Sequence, residues 1–180
     1  MPKYVAFLRA VNVGGHVVKM EALRTLFVKM GFSNVQTFIA SGNVVFESPQ
    51  RSVSRLEQAI EKRLEEALGY TVTTFVRTLP ELAALSEHPL VSGDAGEEGV
   101  GLYVVFVREK PTAEVIRKLM ALKTDAEDFR VYEHHVVWLV RGRFSDSPLS
   151  GPFLERALGV PATVRNSTTV RKVVQKFKTG

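Results

Sequence analysis

The chain has 180 residues, 45% of them hydrophobic, which is the composition of a globular protein with one large core or two small ones. It contains no cysteine, so disulfide bonds, thiol catalysis and cysteine-ligated zinc or iron–sulfur sites are excluded. The net charge is +5, but five of the 24 basic residues and none of the 19 acidic ones lie in residues 165–180, so the rest of the chain is balanced.

The apolar stretches of the chain are short. The longest, residues 100–107 and 136–140, are far below the ~20 residues that a membrane-spanning helix needs. We therefore predict a cytoplasmic protein with no membrane segment.

The first half of the chain alternates between strand and helix patterns. Residues 4–11 read as a strand that ends in a polar, glycine-containing turn, and Ser54 with Glu57 fits a capping box at the start of the second helix. The predicted elements are a strand at 4–11, a helix at 20–30 closed by Gly31, strands at 35–40 and 43–47, a helix ending at Gly69, and a strand at 71–77. This β-α-β-β-α-β order is that of ferredoxin-like domains.

The second half repeats this order in a weaker form. Residues 79–99 read as a connecting helix and acidic loop. The elements after it are a strand at 100–108, a helix at 112–122, a hairpin of strands 128–133 and 136–141 that turns at His134 and His135, a helix at 152–158, a short strand at 162–164 and a final helix. No residue-level repeat is visible. We predict an α+β fold of two ferredoxin-like halves, 1–78 and 100–180, with antiparallel or mixed sheets and an extra C-terminal helix.

The topology predicts where polar residues of the first half meet. The first strand of such a sheet lies antiparallel beside the third, so the exit of one and the entry of the other share an edge. A helix that begins near Lys19 points its N-terminal N–H groups toward this edge, which favours an anion there. We call this the glycine edge, and it comprises Arg9, Asn12, Gly14, Gly15, Ser41, Gly42 and Asn43. Arg9 would add forked donors for phosphate or carboxylate; alternatively, two glycine turns merely adjoin and Arg9 forms an internal ion pair.

A second candidate lies at the start of the final helix. Asn166 and the Ser and Thr residues after it would cap the helix, and capping alone explains them. Together with Arg165, this segment would also hold a phosphate group.

Three separated motifs resemble the bacterial domain of unknown function 1697 family. They are residues 4–15, residues 41–46 and residues 161–170, where the family usually has Leu-Arg-Gly-Ile-Asn-Val-Gly-Gly, Ser-Gly-Asn-Val and Thr-Arg-Asn-Trp. The resemblance implies a two-part α+β fold and no established activity, with candidate functional positions at Arg9, Asn12, Gly14, Gly15, Ser41, Gly42, Asn43, Arg165 and Asn166. The chain departs from the pattern with Ala10 for the usual glycine and Ser167 for the usual tryptophan, and the second change removes the aromatic ring that a stacking role would need.

Other ligand classes have less support. If Gly42 is aligned with the glycine of an RNA-recognition module, Asn43 and Val45 take the two main stacking positions, and neither can stack a base. None of the four histidines shows the spacing of a helical metal pair; we assign His134 and His135 to a surface hairpin and leave His16 as an acid or base at the glycine edge. Dinucleotide and P-loop fingerprints are absent. We predict no metal and no cofactor, and we assign no catalytic residues.

The sequence leaves three functions open. The first, which we favour, is binding of a small anionic ligand, phosphate-containing or nucleotide, at the glycine edge. The second is a non-catalytic interaction or dimerisation module, because ferredoxin-like sheets expose edges and faces that pair. The third is weak, non-specific nucleic-acid binding through the basic C-terminal helix.

Overall fold

The computed structural model describes residues 1–12, 15–39, 42–92, 98–149 and 152–178. The chain divides into two compact units, Met1–Glu81 and Leu82–Gly180, and each is described by itself. The finer division into 1–78, 79–99 and 100–180 stays a prediction.

The first unit is a four-stranded antiparallel sheet with two helices. Its elements are β1 (Lys3–Leu8), α1 (Met20–Lys29), β2 (Ser33–Thr37), β3 (Asn43–Glu47), α2 (Val53–Leu68) and β4 (Thr74–Thr78), and α3 (Leu79–Glu87) begins at its end. The strand order is β2-β3-β1-β4, so β1 lies between β3 and β4. This is the ferredoxin-like topology predicted for the first half.

The helix α2 begins earlier than the capping pattern predicts. Its N-cap is Ser52, whose hydroxyl accepts a hydrogen bond from the Arg55 N–H at 3.3 Å, so the capping box predicted at Ser54 is wrong. The reason lies in Glu57, which is buried and accepts from the Val76 N–H of β4 at 3.3 Å instead of reaching back to the helix start. The left-handed C-cap at Gly69, with φ of +82°, is as predicted.

Both faces of the first sheet are buried. The face toward α1 and α2 carries a core that includes Tyr4, Phe27, Phe46 and Ile60. On the other face, Val5, Phe7, Val45 and Phe75 are at most 1% exposed. A sheet buried on both faces accounts for the nearly continuous apolar sequence of its strands.

The second unit repeats the same architecture. Its elements are α4 (Pro89–Ser92), β5 (Val100–Phe106), α5 (Ala113–Ala121), β6 (Glu127–Tyr132), β7 (His135–Arg141), α6 (Phe153–Leu158), β8 (Thr163–Asn166) and α7 (Ser167–Phe177), with a short 3-10 turn at Phe144–Asp146. The strand order is β6-β7-β5-β8, again antiparallel throughout. The predicted α+β fold of two ferredoxin-like halves with an additional C-terminal helix is confirmed. Within the described ranges, every helix is too short or too polar to cross a lipid bilayer.

The hairpin of the second unit turns one residue earlier than predicted. Glu133 adopts the left-handed conformation, with φ of +55°, so the turn consists of Glu133 and His134. His135 is therefore the first residue of β7, and it is 2% exposed, with its ring edge-on to Phe106 at 5.8 Å. The assignment of His135 to a surface hairpin is wrong, because a shift of one residue moves a side chain to another environment.

The strand registers reveal a residue-level repeat that the linear sequence hides. In both units the first strand pairs with the third and the fourth at equivalent positions, and the paired residues match in type. In the two outer strands, Arg77 and Arg165 each donate from Nη1 to the carbonyl of the preceding valine, at 3.0 and 2.9 Å. The equivalent segments are Tyr-Val-Ala-Phe at 4–7 and Tyr-Val-Val-Phe at 103–106, Asn-Val-Val-Phe at 43–46 and His-Val-Val-Trp at 135–138, and Val-Arg at 76–77 and 164–165. The two units thus share one pattern of strand pairing and of residue types at the paired positions.

Candidate functional site

The glycine edge forms where β1 leaves its sheet. β1 ends at Leu8, three residues before the predicted end. The Leu8 N–H donates to the Gly42 carbonyl at 2.9 Å, and the Arg9 N–H donates to the Thr73 carbonyl at 2.9 Å. Ala10 then turns the chain away with φ of +56°, which explains why glycine is usual at this position of the motif. Arg9, half-buried, is therefore the last residue held by the sheet.

The two predicted asparagines stabilise the loops of this edge. The Asn12 Oδ1 atom accepts from the Val18 N–H at 2.7 Å, which closes the loop before α1. The Asn43 Nδ2 atom donates to the Phe38 carbonyl at 2.9 Å, and Asn43 is 1% exposed. Asn43 is thus a positioning residue for the β2–β3 connection, whereas Asn12 is exposed.

The glycines differ in how strictly the backbone needs them. Gly42 has φ of +79°, and an added Cβ would lie 3.1 Å from Val11 Cγ1 and 3.2 Å from Leu8 Cβ. Gly15 has φ of +83° with nothing near the position of a Cβ, so only its conformation favours glycine. Gly14 and Ser41, also predicted here, lie outside the described residues.

An aromatic pair that sequence reasoning missed borders the same edge. The Tyr70 hydroxyl donates to the Val11 carbonyl at 2.6 Å, and the His16 ring stacks on Tyr70 with ring centroids 4.3 Å apart. The available signal was topological: Tyr70 follows the Gly69 cap and leads into β4, which pairs with β1. His16, predicted at this edge on location alone, is held there by the stacking.

The second predicted segment belongs to the second unit and has structural partners. Arg165 is 8% exposed, and its Nη1 donates to Thr163 Oγ1 at 2.7 Å and to the Val164 carbonyl at 2.9 Å. Burial lowers the pKa of Arg165 to about 10. Asn166 caps α7 by accepting from the Thr168 N–H at 2.8 Å, as the capping alternative predicted. Arg9 lies in the first unit and Arg165 in the second.

A metal centre needs several titratable side chains that lie close together. In the part of the chain that the structure describes, no three His, Cys, Asp or Glu side chains lie close enough to share an ion. Burial also lowers the pKa of Arg77, against the opposing effect of the Glu81 and Glu57 carboxylates. The two buried arginines among the described residues, Arg77 and Arg165, thus both lie in strands.

Comparisons with known proteins identify the family. The model of the family described as "Protein of unknown function (DUF1697)" matches residues 1–138, a span that includes the first two motifs and ends before the third. Among solved structures, the conserved bacterial protein SP0830 from Streptococcus pneumoniae is similar, with a TM-score of 0.77 and 22% sequence identity over 99% of each chain, a level of identity that supports the fold alone. Among proteins with curated descriptions, none matches significantly. Because the family model covers well over half of the sequence, this chain belongs to the DUF1697 family of proteins of unknown function.

Proposed function

We propose that the glycine edge of the first unit binds a small anionic ligand, a nucleotide or another phosphate-containing metabolite. The observation that carries this proposal is backbone strain. Of the four non-glycine residues with left-handed φ in the described ranges, two, Ala10 and Ile39, flank this edge. A left-handed conformation is a true outlier for a β-branched residue such as Ile39, and strain of this kind costs roughly 1–3 kcal/mol and clusters at ligand sites.

The groups at the edge suit an anion because they are donors. Arg9 supplies a guanidinium fork directly after β1. The side-chain Oδ1 atom of Asn12 already accepts a hydrogen bond from the Val18 N–H. The Nδ2 group is therefore the part of the Asn12 side chain that would donate to a ligand. At the start of α1, Lys19 is the N-cap residue and provides no side-chain cap, so the first N–H groups of the helix are left for another acceptor.

The remaining predicted residues have supporting parts in this proposal. Gly42 lets the chain pass against Leu8, and Asn43 fixes the β2–β3 connection. Gly14 and Ser41 belong to the proposed site by their place in the sequence. Arg165 and Asn166 are not needed for it, because both already have partners within their own strand and helix.

The alternative of RNA binding on the sheet face has less support. Base stacking needs an exposed sheet face with aromatic side chains. Asn43 and Val45, at the positions that would stack bases, are each 1% exposed. The described strands of the first sheet therefore offer no exposed apolar face of the kind that would favour a dimerisation module. Homodimerisation and a cytoplasmic location stay predictions, checked by light scattering and by cell fractionation.

A thermal-shift screen tests the proposal. The purified protein is screened with phosphate, sulfate, nucleotides, sugar phosphates and a short RNA at two salt concentrations. A ligand at about 100 times its dissociation constant adds about 2.7 kcal/mol to the free energy of unfolding, a shift of several degrees in Tm. We expect a shift with a small phosphate compound that Arg9→Ala abolishes and the control Arg51→Ala, which removes an exposed charge elsewhere in the unit, preserves. The proposal would be contradicted if no phosphate compound gave a shift that Arg9→Ala reduces more than Arg51→Ala.

A further inference from the structure

A concave site lies along α2, for which the sequence indicated only a helix with one charged and solvated face. This α2 cleft has a volume of about 400 Å³, within the range of small-molecule sites. It is built from the end of α1, the start of β2, the segment after β3 and one stripe of α2. Its lining residues are Met30, Phe32, Ser48, Gln50, Arg55, Leu56, Ala59, Lys62, Arg63 and Glu66.

The polar lining of the α2 cleft is rich in donors that have no acceptor. Among the described residues, Arg55 and Lys62 have no acidic or other side-chain partner. Glu66, the one carboxylate of the lining, lies 3.7 Å from Arg63, which already offsets its charge. The Gln50 Oε1 atom accepts from the Ser52 N–H at 3.0 Å, which leaves the Nε2 donor of Gln50 for a ligand. The cleft therefore has two uncompensated positive charges and a surplus of N–H groups, which complements an anion.

The apolar part of the α2 cleft is packed against the core of the first unit. Phe32 is half-buried, and its ring centroid lies 4.4 Å from that of Phe46 and 6.0 Å from that of Phe27, both in the core. Ala59 lies on the α2 stripe between Arg55 and Lys62, and its small side chain leaves the wall open. A fixed aromatic surface beside a gap between two cations suits a ligand that carries a flat apolar group as well as a charge.

We propose that the α2 cleft binds a small phosphate ester with a flat apolar group, of the size and chemistry of a nucleoside monophosphate. Arg55 and Lys62 hold the phosphate, Gln50 donates to it, and the apolar group lies against Phe32. The site is distinct from the glycine edge: Gly42 precedes β3 and Ser48 follows it, so five residues of extended strand, roughly 17 Å, separate them. The inference goes beyond the proposed function and does not depend on it.

Calorimetric titration of the full chain with adenosine monophosphate tests the proposal. We expect binding that weakens about 100-fold in Arg55→Gln/Lys62→Gln, since the removal of each positive charge weakens binding about tenfold. Ala59→Phe changes no charge and fills the gap at an exposed helix position, so we expect it to weaken binding by at least about tenfold. Adenosine and inorganic phosphate, each carrying half of the recognised features, bind more weakly than the monophosphate.

A charge control separates this site from general charge effects. Arg117→Gln removes an exposed positive charge from α5 of the second unit, and we expect it to retain the binding of adenosine monophosphate. Circular dichroism checks that every variant is folded. The proposal is overturned if adenosine monophosphate gives no heat at millimolar concentration, if the double variant or Ala59→Phe binds it as tightly as the parent chain, or if a short RNA binds more tightly with a steep salt dependence.

Discussion

Replacing Gly42 by alanine tests the packing of the glycine edge. The new Cβ would lie 3.1 Å from Val11 Cγ1 and 3.2 Å from Leu8 Cβ, and the backbone would keep φ of +79°. The left-handed backbone costs about 1 kcal/mol for alanine relative to glycine, and crowding in a packed site adds roughly 2 kcal/mol. We expect Gly42→Ala to lower the free energy of unfolding by about 3 kcal/mol.

Gly31→Ala is the matched control, because Gly31 has φ of +91° and nothing within 4 Å of an added Cβ. It carries the backbone cost alone, so we expect the free energy of unfolding to fall by about 1 kcal/mol. Urea unfolding followed by circular dichroism measures both variants under the same conditions. Equal decreases in the two would show that Gly42 is needed only for its conformation, and would refute the close approach of Leu8 and Val11.

Three further changes test individual contacts. Ser52→Ala removes the N-cap of α2 and should lower the free energy of unfolding in urea by about 1 kcal/mol, whereas Ser54→Ala should leave it nearly unchanged. A larger decrease for Ser54→Ala than for Ser52→Ala would show that Ser54 is the N-cap. Tyr70→Phe should cost about 1 kcal/mol, because it leaves the Val11 carbonyl without its donor, and an unchanged unfolding midpoint would contradict that bond. Burial lowers the pKa of Arg165 to about 10, below its ordinary value in the unfolded chain, so the stability it contributes rises as pH increases above that pKa. Relative to Arg165→Met, the parent chain should gain about 1 kcal/mol between pH about 8 and about 11, and parallel pH profiles would refute the burial effect.

The order of elements could be predicted because the local signals agree with the topology. Helical periodicity ends at Gly31, Gly69 and Gly159, and all three adopt the left-handed conformation that such an ending needs. Residues 43–47 form a strand with the predicted bounds. These features depend on a few neighbouring residues, so the sequence alone predicts them.

Features that depend on a single residue of register, or on burial, could not be predicted. His134 and His135 look alike in the sequence, but the left-handed Glu133 decides which of them enters β7. Arginine is rarely buried, so nothing in the sequence marked Arg165 as an interior residue. The repeat is hard to recognise in the sequence because its matching segments are only two to four residues long and are separated by loops of different length.

The candidate sites show the same division. The position of Arg9 and Gly42 at one edge of the sheet follows from the pairing of β1 with β3, which the topology predicts. The α2 cleft combines Phe32 with Gln50 and the stripe that contains Arg55, and Phe32 lies well before the other two in the chain. Only the fold of the first unit, in which α1 packs against both α2 and β2, brings them together, so the charged face of α2 alone gave no sign of the cleft.

The most direct test of the central claim is a titration of the isotopically labelled protein with inorganic phosphate, followed by amide chemical shifts. If the glycine edge binds the anion, the largest shifts should fall on Gly15, His16 and Gly42 and should saturate, and Arg9→Ala should remove them. Saturating shifts confined to residues 55–66 would assign phosphate to the α2 cleft alone. Small shifts spread over lysines and arginines without saturation would contradict an anion site at the glycine edge.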